Sequence, residues 1–181
     1  MKNTSNYLLI IFSSLFCFSA CTHKVTLQSY FVDHQEAPAF MSMDIPVSFL
    51  NPDKIDLSED QKNAIESIDK LNMIAYNLVD GNLEEFKSEL AVVKEILKLN
   101  VYNDLMRMST SSDGKLQIIY IENRSVIDEI IILGYSTDIG FAIIRVLGDD
   151  MNLSKILKLG DVINQFDTNH SNMDSFMKYL L

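Results

Sequence analysis

Apolar residues recur along this chain with two periods, first about 3.6 and later 2, and the change of period is the main architectural signal. Ser58-Glu59-Asp60-Gln61 has the form of a capping box, and Ala64, Ile65, Ile68 and Leu71 follow as one apolar stripe, so a helix is expected over residues 59–71. A short strand is expected over 73–79, closed by Asp80-Gly81. Phe86, Leu90, Val93 and Leu97 then fall at i, i+4, i+7 and i+11, with Glu84 and Glu85 at the start and Lys94 and Lys98 at the end. That charge order complements the helix dipole and predicts a second helix over 83–99. After Asn100 the alternation becomes twofold, predicting strands over 102–109, 115–122, 126–135 and 140–147. Asp113-Gly114, Asn123-Arg124-Ser125 and Thr137-Asp138-Ile139-Gly140 mark the turns between them, as in an antiparallel meander.

The expected fold class is therefore α+β: a mostly antiparallel sheet of about five strands with two main helices packed on one face, plus a C-terminal helix. Residues 41–50 carry Pro46 at a plausible helix start and are read as one or two helical turns. The strands are unusual in being apolar on both sides. Val126, Ile130 and Ile132 alternate with Ile127, Ile131, Leu133 and Tyr135, and Phe141, Ile143 and Leu147 alternate with Ala142, Ile144 and Val146. A sheet with one wet face would alternate apolar with polar, so something must cover the second face. The candidate cover within the chain is the tail, where Asn172 caps a helix carrying Met173, Phe176, Met177 and Leu180 at i, i+3, i+4 and i+7; these four are the candidate interaction residues. A partner or a second copy is the alternative cover.

The first twenty residues change the picture of where the protein works. They carry Lys2, no acidic residue and an apolar run over residues 7–18, which is the pattern of a signal peptide and too short for a stable membrane span. Phe18-Ser19-Ala20-Cys21 resembles the bacterial lipobox, with Phe18 where Leu is usual, and implies cleavage before Cys21 and lipidation of that cysteine. Three acyl chains suffice for stable anchoring. Cys17 would leave with the signal and Cys21 would be consumed by the lipid, so no thiol remains for a disulfide, a metal or a nucleophile. Residues 21–40 are read as the lipidated cysteine and a tether, reaching roughly 65 Å when extended, with residues 25–32 able to order in part against the domain. Thr22 follows the cysteine where an Asp would resemble a retention signal of the inner membrane, and no acidic cluster of the surface-export kind follows it. The expected place is the outer membrane, on its periplasmic side. The organisation is thus signal peptide 1–20, tether 21–40, α+β domain 41–159 and tail 160–181.

Composition chiefly excludes. The 181 residues include 25 acidic and 15 basic side chains, for a formal charge of −10, which argues against a nucleic-acid role resting on phosphate neutralisation. The only histidines are His23 and His34 in the expected tether and His170 in the tail, the last with Asp174 four residues on. No Gly-x-Ser-x-Gly elbow, phosphate-binding glycine loop or calcium loop occurs, so neither a catalytic residue nor a metal or cofactor is assigned. Asp149, Asp150 and Asn152 read as a turn with a helix cap rather than as cation ligands. Glu122, Asp128 and Glu129 lie near strands and read as solvated turns or edges, while Arg107 and Arg145 read as partners for each other or for Glu129. Met106, Met108, Met173 and Met177 read as packing positions.

Asp44-Ile45-Pro46-Val47-Ser48-Phe49-Leu50, the Asp113-Gly114 turn, Ile130-Ile131-Ile132-Leu133, Phe141-Ala142-Ile143-Ile144-Arg145-Val146-Leu147-Gly148-Asp149 and Leu153-Ser154-Lys155-Ile156-Leu157-Lys158-Leu159 follow one another in an order that resembles a family of Bacteroidetes lipoproteins, domain of unknown function 4252. The likeness spans residues 41–159. It implies at most an envelope signalling or stress context and carries no functional residues. The expected function is that of a lipid-anchored, non-enzymatic protein-interaction module in envelope signalling or maintenance, binding an envelope protein or itself. The alternative is a small-ligand binder or hydrolase using a cleft between sheet and helices.

Overall fold

A computed structural model describes residues 25–47, 55–78, 82–109 and 113–161. In chain order these form α1 (Leu27–His34), β1 (Phe40–Pro46), α2 (Glu59–Glu66), β2 (Ile68–Asn77), α3 (Leu83–Ile96), β3 (Asn103–Ser109), β4 (Lys115–Asn123), β5 (Val126–Ser136), β6 (Gly140–Met151) and α4 (Leu153–Leu157), followed by a 3₁₀ turn at Lys158–Asp161. All six strands join one antiparallel sheet in the order β1-β2-β6-β5-β4-β3. The α+β class and the meander from β3 to β6 agree with the sequence reading. The signal peptide, Cys21 and the tail residues Met173, Phe176, Met177 and Leu180 lie outside the described residues.

Four expectations are corrected. Residues 27–34, within the expected tether, are a helix packed on the domain, which extends the partial ordering expected of residues 25–32. Thr26 accepts a hydrogen bond from the Ser29 amide, and the Ser29 side chain reciprocates, making a capping box with Ser in place of the usual Glu or Gln. Leu27, Tyr30 and Phe31, at i, i+3 and i+4, are buried against the sheet. Residues 40–46 are a strand rather than helical turns, because Met41, Met43 and Ile45 alternate with Phe40, Ser42 and Asp44, and Pro46 is tolerated at the end of an edge strand. The helix expected over 59–71 stops at Glu66, and Ile68 and Leu71 begin β2. Over so short a run the apolar spacing of Ala64, Ile65, Ile68 and Leu71 fits a helix followed by a strand as well as it fits one helix. Finally, α2 does not lie beside α3. It packs on the α4 segment through Leu57, Ile65 and Leu159, the Gln61 amide donates to the Lys158 carbonyl, and Lys158, 2.6 Å away, holds the Asp60 carboxyl below the usual range by a hydrogen bond and by its charge.

Face by face, the first side of the sheet is covered by α1 and α3. Ile74, Tyr76, Phe141, Ile143, Ile131 and Leu133 pack there against Phe86, Leu90 and Val93 of α3 and Leu27, Tyr30 and Phe31 of α1. Tyr76 and Phe141 stack at 5.7 Å, and Phe40 meets Tyr76 edge-on at 5.2 Å, contacts that contribute about 1 kcal/mol each beyond burial. The Tyr76 hydroxyl accepts from the Asn82 amide and donates toward Glu85, tying β2 to the start of α3.

Two glycines permit close approaches. Gly140 opens β6 at φ 124, and a Cβ there would stand 2.0 Å from the Tyr76 carbonyl oxygen. At Gly148 a Cβ would stand 2.0 Å from the carbonyl oxygen of Ser67, which accepts from the Asp149 amide. Gly140→Ala is accordingly expected to cost on the order of 3 kcal/mol, read as a fall in the urea midpoint by circular dichroism; an unchanged midpoint would contradict the β2–β6 junction described here.

Candidate functional site

The strand register makes the two faces comparable row by row. On the face under α1 and α3, one row runs Asp44, Asn72, Arg145, Ile131, Ile119 and Asp104 across the six strands, and the next runs Ser42, Ile74, Ile143, Leu133, Gln117 and Arg107. Both rows carry polar side chains at the β1 edge and again toward β3, where Asp104 holds Arg107 and Gln117 at 2.5 Å each. The apolar cover on this side ends where the polar edge begins.

On the second face two rows have no such ending. Its central row is Met43, Met73, Ile144, Ile132, Ile118 and Met106, apolar from one edge strand to the other. One flanking row, Met41, Ala75, Ala142, Gly134, Leu116 and Met108, is also free of polar side chains, while the other, Ile45, Leu71, Val146, Ile130, Tyr120 and Asn103, turns polar on β4 and β3. Five inter-strand steps make this face roughly 24 Å wide. Among the described residues its cover is Leu153, Ile156 and Leu159 of the α4 segment. Beside that segment lies a groove of about 260 Å³, floored by Ile118, Ile130, Ile132, Ile144 and Val146 and walled by Ile156, Leu157, Leu159 and Gly160. At the β3 end, Met106 and Met108 remain 39% and 51% exposed, so they are not the packing positions expected of them. The face assignment of β5 also shifts once: an irregularity between Ile127 and Glu129 brings Ile127 to the second face, opposite to its expected side.

The candidate chemical groups lie elsewhere and are satisfied. Arg145 pairs with Glu129 through two hydrogen bonds of 2.6 and 3.1 Å, under the Phe31 ring of α1, with both residues buried. This is the ion pair anticipated for Arg145; Glu129 is therefore no solvated edge group, and Arg107 turns to Asp104 instead. Asn72, also buried, donates to Asp44. Among the described residues no buried side-chain polar atom lacks a partner, and no cluster of potential metal ligands occurs. Asn152 caps α4 by accepting from the Lys155 amide, as expected of that turn. His23 and His170 lie outside the described residues.

Sequence reasoning placed His34 in a tether, whereas α1 fixes it in the domain. Its Nδ1 meets the Tyr30 carbonyl at 2.8 Å and its Nε2 meets Glu89 at 3.3 Å, while the Tyr30 hydroxyl donates to the same carboxylate at 2.8 Å. Both ring nitrogens are thus engaged by groups of the fold itself. The i, i+3, i+4 spacing of Leu27, Tyr30 and Phe31 after Thr26 was the available signal for this helix.

Burial, with the Glu89 carboxylate beside it, raises the Tyr30 hydroxyl far above the ordinary tyrosine value, and burial also raises Tyr76 and Tyr102. The fold thus holds these tyrosines neutral, and their contribution to stability is complete below about pH 10 and is lost as the pH rises beyond it. Alkaline titration followed at the phenolate band should show the buried Tyr30 and Tyr76 ionising only as the chain unfolds; their titration together with the more exposed tyrosines in the folded chain would refute the packing of α1 and β2. The Arg145–Glu129 pair gives a second test. Arg145→Met alone should cost roughly 3–5 kcal/mol by leaving a buried carboxylate unpaired, while the double change with Glu129→Leu should return to near the original stability in urea denaturation.

No curated protein and no solved structure matches the chain. A family model described as Domain of unknown function (DUF4252) matches residues 30–159. The match starts within α1 and ends in the 3₁₀ turn, so it takes in the whole six-stranded sheet and both of its apolar faces. By that match the chain belongs to the DUF4252 family.

Proposed function

We propose that this protein is a lipid-anchored module of the bacterial cell envelope that works by binding a protein partner through the second face of its sheet. The observation that carries the reading is the central row from Met43 to Met106, apolar across all six strands and still open at its β3 end. An apolar patch that runs to an exposed edge suits a surface that another apolar surface covers. The groove offers aliphatic side chains and no convergent polar group, which suits protein contact better than recognition of a polar substrate. The Arg145–Glu129 pair and His34, the groups a cleft between sheet and helices would use, are engaged with their own neighbours.

Anchoring rests on the lipobox-like Phe18-Ser19-Ala20-Cys21. With α1 packed on the sheet, only the stretch from Cys21 to Thr26 separates anchor from domain, at most roughly 20 Å of chain. The domain then sits close to the membrane, on the periplasmic side of the outer membrane, in envelope signalling or maintenance. The Bacteroidetes lipoprotein character suggested by the sequence resemblance fits this setting.

The test is native mass spectrometry of the tagged protein extracted from its own envelope in mild detergent, beside Met106→Asp/Met108→Asp and Cys21→Ser. The exposed double substitution should abolish a stoichiometric partner with the circular dichroism spectrum unchanged, and Cys21→Ser should move the protein to the soluble fraction. A partner retained by the double variant would refute the proposed face, and membrane retention of Cys21→Ser would refute the anchor.

A further inference from the structure

The groove lies where the chain itself can reach it. Leu157, Leu159 and Gly160 form part of its wall, and the described chain ends one residue later, at Asp161. Beyond Val162, Ile163 and Phe166, the sequence carries the stripe Met173, Phe176, Met177 and Leu180 at i, i+3, i+4 and i+7, with Asp174, Ser175, Lys178 and Tyr179 between its members. Eleven residues lie between Asp161 and Met173, enough for roughly 40 Å of chain, whereas the whole sheet face is roughly 24 Å wide. A helix over residues 172–181 would be about 15 Å long and would fit on that face.

The groove's chemistry selects the form of its occupant. Its sheet floor is wholly aliphatic and offers no side-chain hydrogen bond, so an occupant must satisfy its own backbone, which a helix does and an unpaired extended segment does not. Methionine and phenylalanine suit such a floor, because flexible thioethers and flat rings fill irregular space between branched side chains. A short tether also gives the segment an effective concentration in the millimolar range, which an outside protein has to overcome.

We propose that the chain's own residues 172–181 are the resident occupant of this groove, docked as a helix through Met173, Phe176, Met177 and Leu180, and that a partner gains the groove by displacing them. This rests on the reading of the second face as the docking surface and names what holds it at rest. The segment then acts as an internal competitor, and the exposed Met106 and Met108 are the place where a partner makes first contact.

The experiment is photo-crosslinking in the full-length detergent-solubilised protein, with benzoylphenylalanine replacing Phe176 and the products mapped by peptide mass spectrometry. The expected product is an intrachain link to Ile118, Ile132, Ile144 or Val146. Links to α1 or α3, links only between chains, or no link at all would overturn the proposal. In parallel, Phe176→Asp/Met177→Asp in the full chain should increase the fluorescence of an apolar-surface dye several-fold with the circular dichroism spectrum unchanged; unchanged dye fluorescence would overturn it as well. Links between chains that land on the groove residues would remove the tail as occupant yet keep the second face as a docking surface, whereas a partner indifferent to Met106→Asp/Met108→Asp would remove the docking surface itself.

Discussion

A sheet whose central strands are apolar on both sides has to be covered twice, and the rest of this structure follows from that constraint. β6 shows it most directly: Phe141 and Ile143 enter one core while Ala142, Ile144 and Val146 enter the other, all buried. Burying a residue of this size contributes about 1.5–3 kcal/mol, so neither face can be left to water without losing much of the stability of a domain this small. The two helices α1 and α3 cover the first face, and the α4 segment, fastened to α2 by Gln61 and Asp60, covers one part of the second.

The two covers are built differently, and the difference gives each face its character. On the first face the rows end in Asp104, Gln117 and Arg107, and the α1–α3 layer is stitched down by Tyr30 to Glu89 and by Tyr76 to Glu85 and Asn82. A layer held by directional bonds over a buried ion pair has one arrangement, since any slip would leave Glu129 or Arg145 unpaired in an apolar setting. The second face is held almost wholly by aliphatic and thioether contacts, with Tyr120 beside them, and such contacts are non-directional and tolerate exchange of one apolar surface for another. A rigid face and an exchangeable face on one sheet suit a module that keeps its shape while its contacts change.

Much of this was legible along the chain. The stripe Phe86-Leu90-Val93, the turn residues Asp113 and Arg124-Ser125 with their positive φ, and the double-sided strands β5 and β6 follow from local rules, because each depends on residues a few positions apart. The helix α1 was hidden by its short length and by a capping box closed by Ser29. β1 was masked by Pro46, which reads as a helix start until a neighbouring strand is known. The ion pair of Arg145 with Glu129 could be listed but not chosen, since sixteen positions of sequence separate its members and only the β5–β6 register brings them together.

The sequence by itself determined the class of the fold, the meander and the demand for cover on both faces of the sheet, because amphipathic period and turn chemistry are properties of adjacent residues. Only the tertiary structure decided that β1 and β2 add to the far side of β6, that α1 rather than α2 shares a face with α3, and that Met106 and Met108 end an unbroken apolar row. Strand order and helix placement depend on which burial is collectively most favourable, a comparison among distant segments that no local pattern encodes.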